Sequence, residues 1–226
     1  MLKKVATKQR LTREAIAIRC AAEFQDGWLV NLGIGIPTLC SSFVPSGRNV
    51  LFHSENGVVG YGRLAMKEEV DIHLVNAGVQ HITLGPGAFI LDSATAFAII
   101  RSKRLDAAVL GAYEIDEQGD LANYTLSPET GAQLGGAMDV ATGAKRLYIV
   151  MQHTTPDGRP RLLKKCRLPI TAKGVVQRVF TDLGLFDRTP GGYVLREIAP
   201  GWTPEEVQAA SEAAIHISPD LKVLTA

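Results

Sequence analysis

Ser54-Glu55-Asn56-Gly57 sets one carboxylate in a turn directly after the apolar run Val50-Leu51-Phe52. Such apolar runs favour a buried parallel strand and Asn-Gly favours a turn, so Glu55 is expected where a strand ends. In open α/β sheets that edge is the ligand crevice. A glutamate is ionised at neutral pH and can serve as a nucleophile without a partner base. Ser54 could equally cap a helix with Glu55 in its first turn, and the residues alone leave both arrangements open. His53 adjoins the pair, but Phe52 and Asn56 stand where the glycines of a Gly-x-Ser-x-Gly elbow belong, which argues against a serine hydrolase.

Two glycine turns are the other candidates. Gly33-Ile34-Gly35 invites a dinucleotide-binding reading, with Glu55 about 20 residues further on, where a ribose-binding acid is sought. Against it, Thr38 replaces the third glycine and Pro37 removes an amide from the phosphate turn. Gly135-Gly136 permits close backbone approach, so its amides could steady an oxyanion or simply serve a loop bend. His73, His81, His153 and His216 have no paired ligand spacing and there is no cysteine cluster, so no metal site is expected. Cys166 lies among Lys164, Lys165 and Arg167, which could lower a thiol pKa, but no defined base accompanies it.

These residues need a framework. Thr12 can cap a helix carrying Ile16, Cys20 and Phe24 at near-helical spacing and ending by Asp26-Gly27. Trp28 to Val30 reads as a strand, and Pro37 to about Phe43 as a helix after the glycine turn. Strands are expected at Val50 to Phe52, Ile72 to Val75, Ala107 to Leu110 and Leu147 to Met151, with a helix over Ser93 to Lys103. Such alternation predicts an α/β fold with a mostly parallel sheet flanked by helices. Leu183 to Phe186 and Tyr193 to Ile198 flank a hairpin-like return, and Thr203-Pro204-Glu205-Glu206 opens a final helix with cap, proline and acids in order. No linker or repeat divides residues 1–226, so one domain is expected.

In order along the chain stand Asn31-Leu32-Gly33-Ile34-Gly35-Ile36-Pro37-Thr38, Ser54-Glu55-Asn56-Gly57-Val58-Val59-Gly60, Asn76-Ala77-Gly78, Pro86-Gly87-Ala88 and Gly119-Asp120-Leu121-Ala122-Asn123. Gly135-Gly136-Ala137-Met138-Asp139, Lys164-Lys165-Cys166 with Leu168-Pro169, and Glu197-Ile198-Ala199-Pro200-Gly201 follow. Together they resemble the B (beta) subunit of class I coenzyme A transferases of the 3-oxoacid type. The resemblance implies that family's open α/β fold and makes Glu55 the catalytic nucleophile. It also implies that Ser54, Asn56, Gly57, Gly33, Gly35, Gly135 and Gly136 orient it, bind substrate or coenzyme A, or form an oxyanion site. Departures are Gln133-Leu134 where a Gly-Met pair is common, Val79 where a lysine that can meet the coenzyme is common, and Gly85 in place of a larger apolar residue.

The implied activity is a ping-pong transfer of coenzyme A between an acyl-CoA such as succinyl-CoA and a 3-oxoacid such as acetoacetate, through glutamyl anhydride and glutamyl-CoA thioester intermediates. Coenzyme A is then a co-substrate, with no tightly bound cofactor or metal. The family pairs this half with an A (alpha) subunit, and nothing here matches that half, so an α2β2 assembly is expected. A nicotinamide-dependent oxidoreductase and a non-catalytic acyl-CoA-binding protein are the alternatives.

The 226 residues carry 24 Lys and Arg against 23 Asp and Glu, a net charge of +1, and this lacks the basic excess of a nucleic-acid binder. Three cysteines without a Cys-x-x-Cys pair fit free thiols in a reducing compartment. Arg10, Arg13, Glu14 and Arg19 interrupt any apolar leader, and no run is long enough to span a membrane, so a cytoplasmic protein is expected.

Overall fold

The computed structural model describes residues 7–126 and 135–224. The chain divides into two compact units, one of Ala17–Gly111 with Leu134–Tyr148, the other of Met1–Ile16, Ala112–Gln133 and Ile149–Ala226. Helix α1 (Arg13–Ala21) begins where Thr12 Oγ1 accepts the Ala15 amide at 3.1 Å, and it buries Ile16, Ala17, Cys20 and Ala21.

The first unit continues with β1 (Leu29–Leu32), α2 (Ile36–Leu39), β2 (Leu51–Ser54), β3 (Val58–Leu64), β4 (Ile82–Ile90), α3 (Ser93–Arg101) and β5 (Ala107–Leu110). Its strands lie in the order β5-β1-β2-β3-β4. Strand β1 runs parallel to both β2 and β5, whereas β2-β3 and β3-β4 are antiparallel. All four residues of β5 are buried, as expected of a parallel strand covered on both faces. The expected helix from Pro37 to Phe43 is the single turn α2 followed by a 3₁₀ turn at Cys40–Ser42.

The strand expected at Ile72 to Val75 does not form. Leu74 donates back to the Asp71 carbonyl in a turn, and Val75 makes one isolated bridge to His81. The sheet is extended instead by β3 and β4, whose glycines weaken any sequence signal for a strand. Two of those glycines have a packing reason: Gly60 has φ +81°, and a Cβ on Gly85 would stand 2.9 Å from the Gly60 carbonyl oxygen. The departure at Gly85 is therefore a close approach of two strand backbones.

In the second unit β6 (Glu114–Asp116) and β7 (Leu121–Ala122) form a small antiparallel pair. Helix α4 (Ala137–Gly143) belongs to the first unit, and β8 (Leu147–Met151) carries the chain into the second. There β9 (Leu162–Leu163) pairs with β6, and β10 (Arg178–Thr181), β11 (Gly184–Thr189), β12 (Gly192–Ile198) and β13 (Ile215–Val223) lie in the order β13-β12-β11-β10. Helix α5 (Pro204–Ala209) precedes β13, and Thr203 and Glu206 close the expected capping box. Buried Asp116 is the polar hub: its carboxylate accepts the amides of Gln118, Asp120 and Cys166, and its carbonyl accepts the Tyr193 hydroxyl at 2.8 Å.

The α/β class holds, with parallel pairing at β2-β1-β5 and antiparallel strands around it. Strand β13 is not anticipated by the sequence, because Pro219, Asp220 and Lys222 are poor strand residues. They are tolerated where the outer edge of a sheet needs no ladder donor.

Candidate functional site

Glu55 stands in the turn joining β2 to β3, with Gly57 N–H closing onto the Ser54 carbonyl at 3.0 Å. Ser54 is a strand residue rather than a helix cap. The turn is tight because Gly57 has φ +115°, and a Cβ there would collide with the Leu91 carbonyl oxygen. Three further hydrogen bonds fix it. Ser54 Oγ accepts the Ala77 amide at 2.9 Å, Asn56 Nδ2 donates to the Val75 carbonyl at 2.8 Å, and Ser93 Oγ donates to the Glu55 carbonyl at 3.2 Å. Ser54 and Asn56 thus hold the backbone around Glu55 by gripping the 75–77 loop.

The carboxylate itself is met from β1. Register pairs Asn31 with His53, so the Asn31 amide lies beside the end of β2, and its Nδ2 donates to Glu55 Oε2 at 3.2 Å. The same nitrogen lies 3.1 Å from His53 Nδ1 and 3.2 Å from the His53 carbonyl. Asn31 is buried, 1% exposed, within an otherwise apolar strand. It opens the glycine-turn motif, yet the sequence reading gives it no role of its own. A polar residue inside Leu29-Val30-Asn31-Leu32 is the signal that marks it.

The far side of Glu55 is covered by Gly136. A Cβ there would lie 3.3 Å from Glu55 Cγ and 3.1 Å from Phe97 Cζ, so only hydrogen fits comfortably between helix α3 and the glutamate. Gly136 starts α4, which is clamped to α3 by the Arg101–Asp139 ion pair at 2.8 Å and by Gly143 packing on the Ile100 carbonyl. A Cβ on Gly135 would meet nothing among the described residues, and Gln133-Leu134 lie outside them.

Gly33 serves the sheet. Its amide donates to the Val109 carbonyl at 2.8 Å, and a Cβ would meet Leu110 Cδ2 at 2.9 Å. Gly35 has φ +95° and a Cβ there would meet nothing among the described residues, so it shapes the loop that leaves β1. That loop meets the 76–78 turn, where a Cβ on Gly78 would lie 3.3 Å from Ile34 Cγ1. Val79, the site of a departure, has φ +59° and is 79% exposed. A dinucleotide site is not supported: the glycine turn leads into a four-residue helix, and Glu55 sits between antiparallel strands.

Two other sequence candidates resolve differently. Burial raises the Cys166 thiol well above its ordinary pKa, and Asp116, Glu114 and Asp120 reinforce the shift, so the neighbouring lysines and arginine do not activate it. Among the described residues no cluster of His, Cys, Asp and Glu could hold a metal ion, and no helix is long and apolar enough to cross a membrane.

Residues 13–210 match the family model described as coenzyme A transferase. The chain is 42% identical over 205 residues to the B-type subunit of succinyl-CoA:3-ketoacid coenzyme A transferase from Helicobacter pylori, covering 91% of this chain and 99% of that one. It is 39% identical to the beta subunit of acetate CoA-transferase from Escherichia coli K12, covering 92% and 95%. The crystal structure of the acyl-CoA transferase YdiF from Escherichia coli O157:H7 superposes with a TM-score of 0.71 at 20% identity, covering 96% of this chain and 43% of that one, a likeness of fold. Motif order, fold and sequence identity thus agree, and the chain belongs to the coenzyme A transferase family.

Proposed function

We propose that this chain is the nucleophile-bearing subunit of a transferase that moves coenzyme A from succinyl-CoA to a 3-oxoacid such as acetoacetate, with Glu55 as the covalent carrier. The observation that carries the proposal is the hydrogen bond from buried Asn31 to the Glu55 carboxylate, which holds a half-buried acid at one orientation in a fixed turn.

The Glu55 carboxylate attacks the thioester carbonyl, the C–S bond breaks, and the coenzyme leaves as thiolate from a mixed anhydride. The thiolate then attacks the glutamyl carbonyl, which breaks the anhydride C–O bond and frees the first acid as carboxylate. A second carboxylate attacks the glutamyl thioester, and the same two exchanges in reverse order restore Glu55. Each tetrahedral intermediate puts negative charge on the glutamyl or acyl oxygen, where an amide donor such as Asn31 Nδ2 gives most stabilisation. The anhydride survives only where water is kept from it, and the close approach of Gly136 to Glu55 supports a crowded glutamyl group.

Relatives named as B or beta subunits support pairing with an A (alpha) subunit, and an α2β2 assembly is proposed for this chain. The acid is set by experiment, since a relative of nearly equal identity is named for acetate. The test is intact mass and peptide mapping of this chain, co-expressed with its alpha partner, after exposure to succinyl-CoA, with acetoacetate and acetate compared as acceptors. A coenzyme A adduct on the Glu55 peptide, lost in Glu55→Ala, is the expected result. Transfer activity surviving in a folded Glu55→Ala enzyme overturns the covalent role.

A further inference from the structure

We infer that His53 is a positioning residue that keeps the Asn31 side chain turned as a hydrogen-bond donor toward Glu55. This rests on the assignment of Glu55 as the nucleophile.

His53 is fully buried two residues before Glu55 and takes no part in the exchange described above. Its Nε2 lies 3.2 Å from the Ala96 carbonyl oxygen, which can only accept, so Nε2 carries the proton. Burial holds the imidazole below its ordinary pKa, with the Ala96 contact and the Glu55 charge opposing, and the neutral ring then leaves Nδ1 bare. A bare Nδ1 accepts, so the atom of Asn31 at 3.1 Å from it must be the NH₂ group. Ala96 on α3 therefore sets the tautomer, the tautomer sets the amide, and the amide faces the carboxylate.

This arrangement matters when the charge on Glu55 is consumed. A carboxylate alone would draw the NH₂ group toward itself, but in the anhydride and thioester states the glutamyl oxygen is neutral and that pull weakens. One hydrogen of the NH₂ group, shared between His53 Nδ1 and the His53 carbonyl at 3.1 and 3.2 Å, holds the group in place through those states and leaves the second hydrogen for the glutamyl oxygen. The donor is already aimed when the next tetrahedral oxyanion forms, and no reorientation is needed at that moment.

The test uses the assembled alpha–beta enzyme and steady-state kinetics of His53→Leu and His53→Gln, each alone and in an Asn31→Ala background, with thermal melts of all variants. Leucine removes both ring contacts, whereas glutamine offers an NH₂ donor group and a carbonyl acceptor. His53→Leu is expected to lower kcat on the order of tenfold with KM little changed, below the roughly hundredfold cost of a 1 Å misplacement. His53→Gln is expected to recover most of the loss. In the Asn31→Ala background the two substitutions should differ little, since the group they act through is gone. Equal kcat for the leucine and glutamine variants, or a leucine loss that persists undiminished without the Asn31 amide, overturns the proposal. Should leucine leave the chain insoluble, His53→Met fills similar space and is judged by the same comparison. Failure of the Glu55 assignment is separate, because the wild-type enzyme would then form no adduct at Glu55.

Discussion

Gly136 and Glu55 are 81 positions apart in the chain (136 − 55), yet a Cβ on the first would come within 3.3 Å of Cγ on the second. Gly136 has φ −69°, a conformation open to any residue, so backbone strain does not explain the glycine. Its requirement is steric, set by Phe97 Cζ at 3.1 Å and Glu55 Cγ at 3.3 Å from that Cβ. Gly136→Ala should therefore fold with a melting temperature close to wild type while the half-buried Phe97 and Glu55 side chains both give way. Adduct formation with succinyl-CoA should slow by up to about a hundredfold, and a normal rate would show that the contact is not felt in catalysis.

Gly57 poses the opposite case. Its φ of +115° and its closeness to the Leu91 carbonyl leave no room for a side chain, so Gly57→Ala must distort the turn. A loss of about 2–4 kcal/mol is expected by denaturant titration, together with loss of adduct formation.

Stability should fall with acid through His153. Burial lowers this residue to a pKa of about 4, and its ring nitrogens are engaged by Thr181 and Ser211. The unfolded chain takes up a proton near 6.5, before the folded one does, so stability is complete above about pH 6.5 and declines toward pH 4. The single-site loss is up to about 3 kcal/mol. His53, also lowered by burial, acts in the same direction. Denaturant midpoints measured between pH 7 and pH 4.5 should drop accordingly, and a soluble His153→Gln variant should show a flatter profile.

Thiol chemistry should be slow. Cys20 and Cys40 are buried, and burial with three nearby carboxylates raises the thiol of the half-buried Cys166. Iodoacetamide at pH 8 should label the native chain far more slowly than the urea-unfolded chain. Transfer activity should survive that treatment, and rapid loss by modification of Cys166 would contradict the raised thiol.

Elements whose signals are local can be read from the residues alone. Thr12 and Thr203 caps and the apolar runs at β5 and β8 are set by nearest neighbours in the chain, so they are legible there, whereas the choice between turn and helix cap at Ser54-Glu55 waits for the pairing of β2 with β3. Family membership was legible for a related reason, since ordered short motifs survive in one dimension. Tertiary structure decided what depends on register and packing. Strands β3 and β4 form despite their glycines because Gly60 and Gly85 each admit a backbone atom of the other strand, a contact invisible until both strands are placed. Parallel pairing of β1 with β2 brings Asn31 to Glu55, and packing of α3 on α4 brings Gly136 to its other side. The same packing sorts the glycines, giving Gly33 to the sheet and Gly136 to the glutamate, because side-chain volume is tested only against neighbours in space.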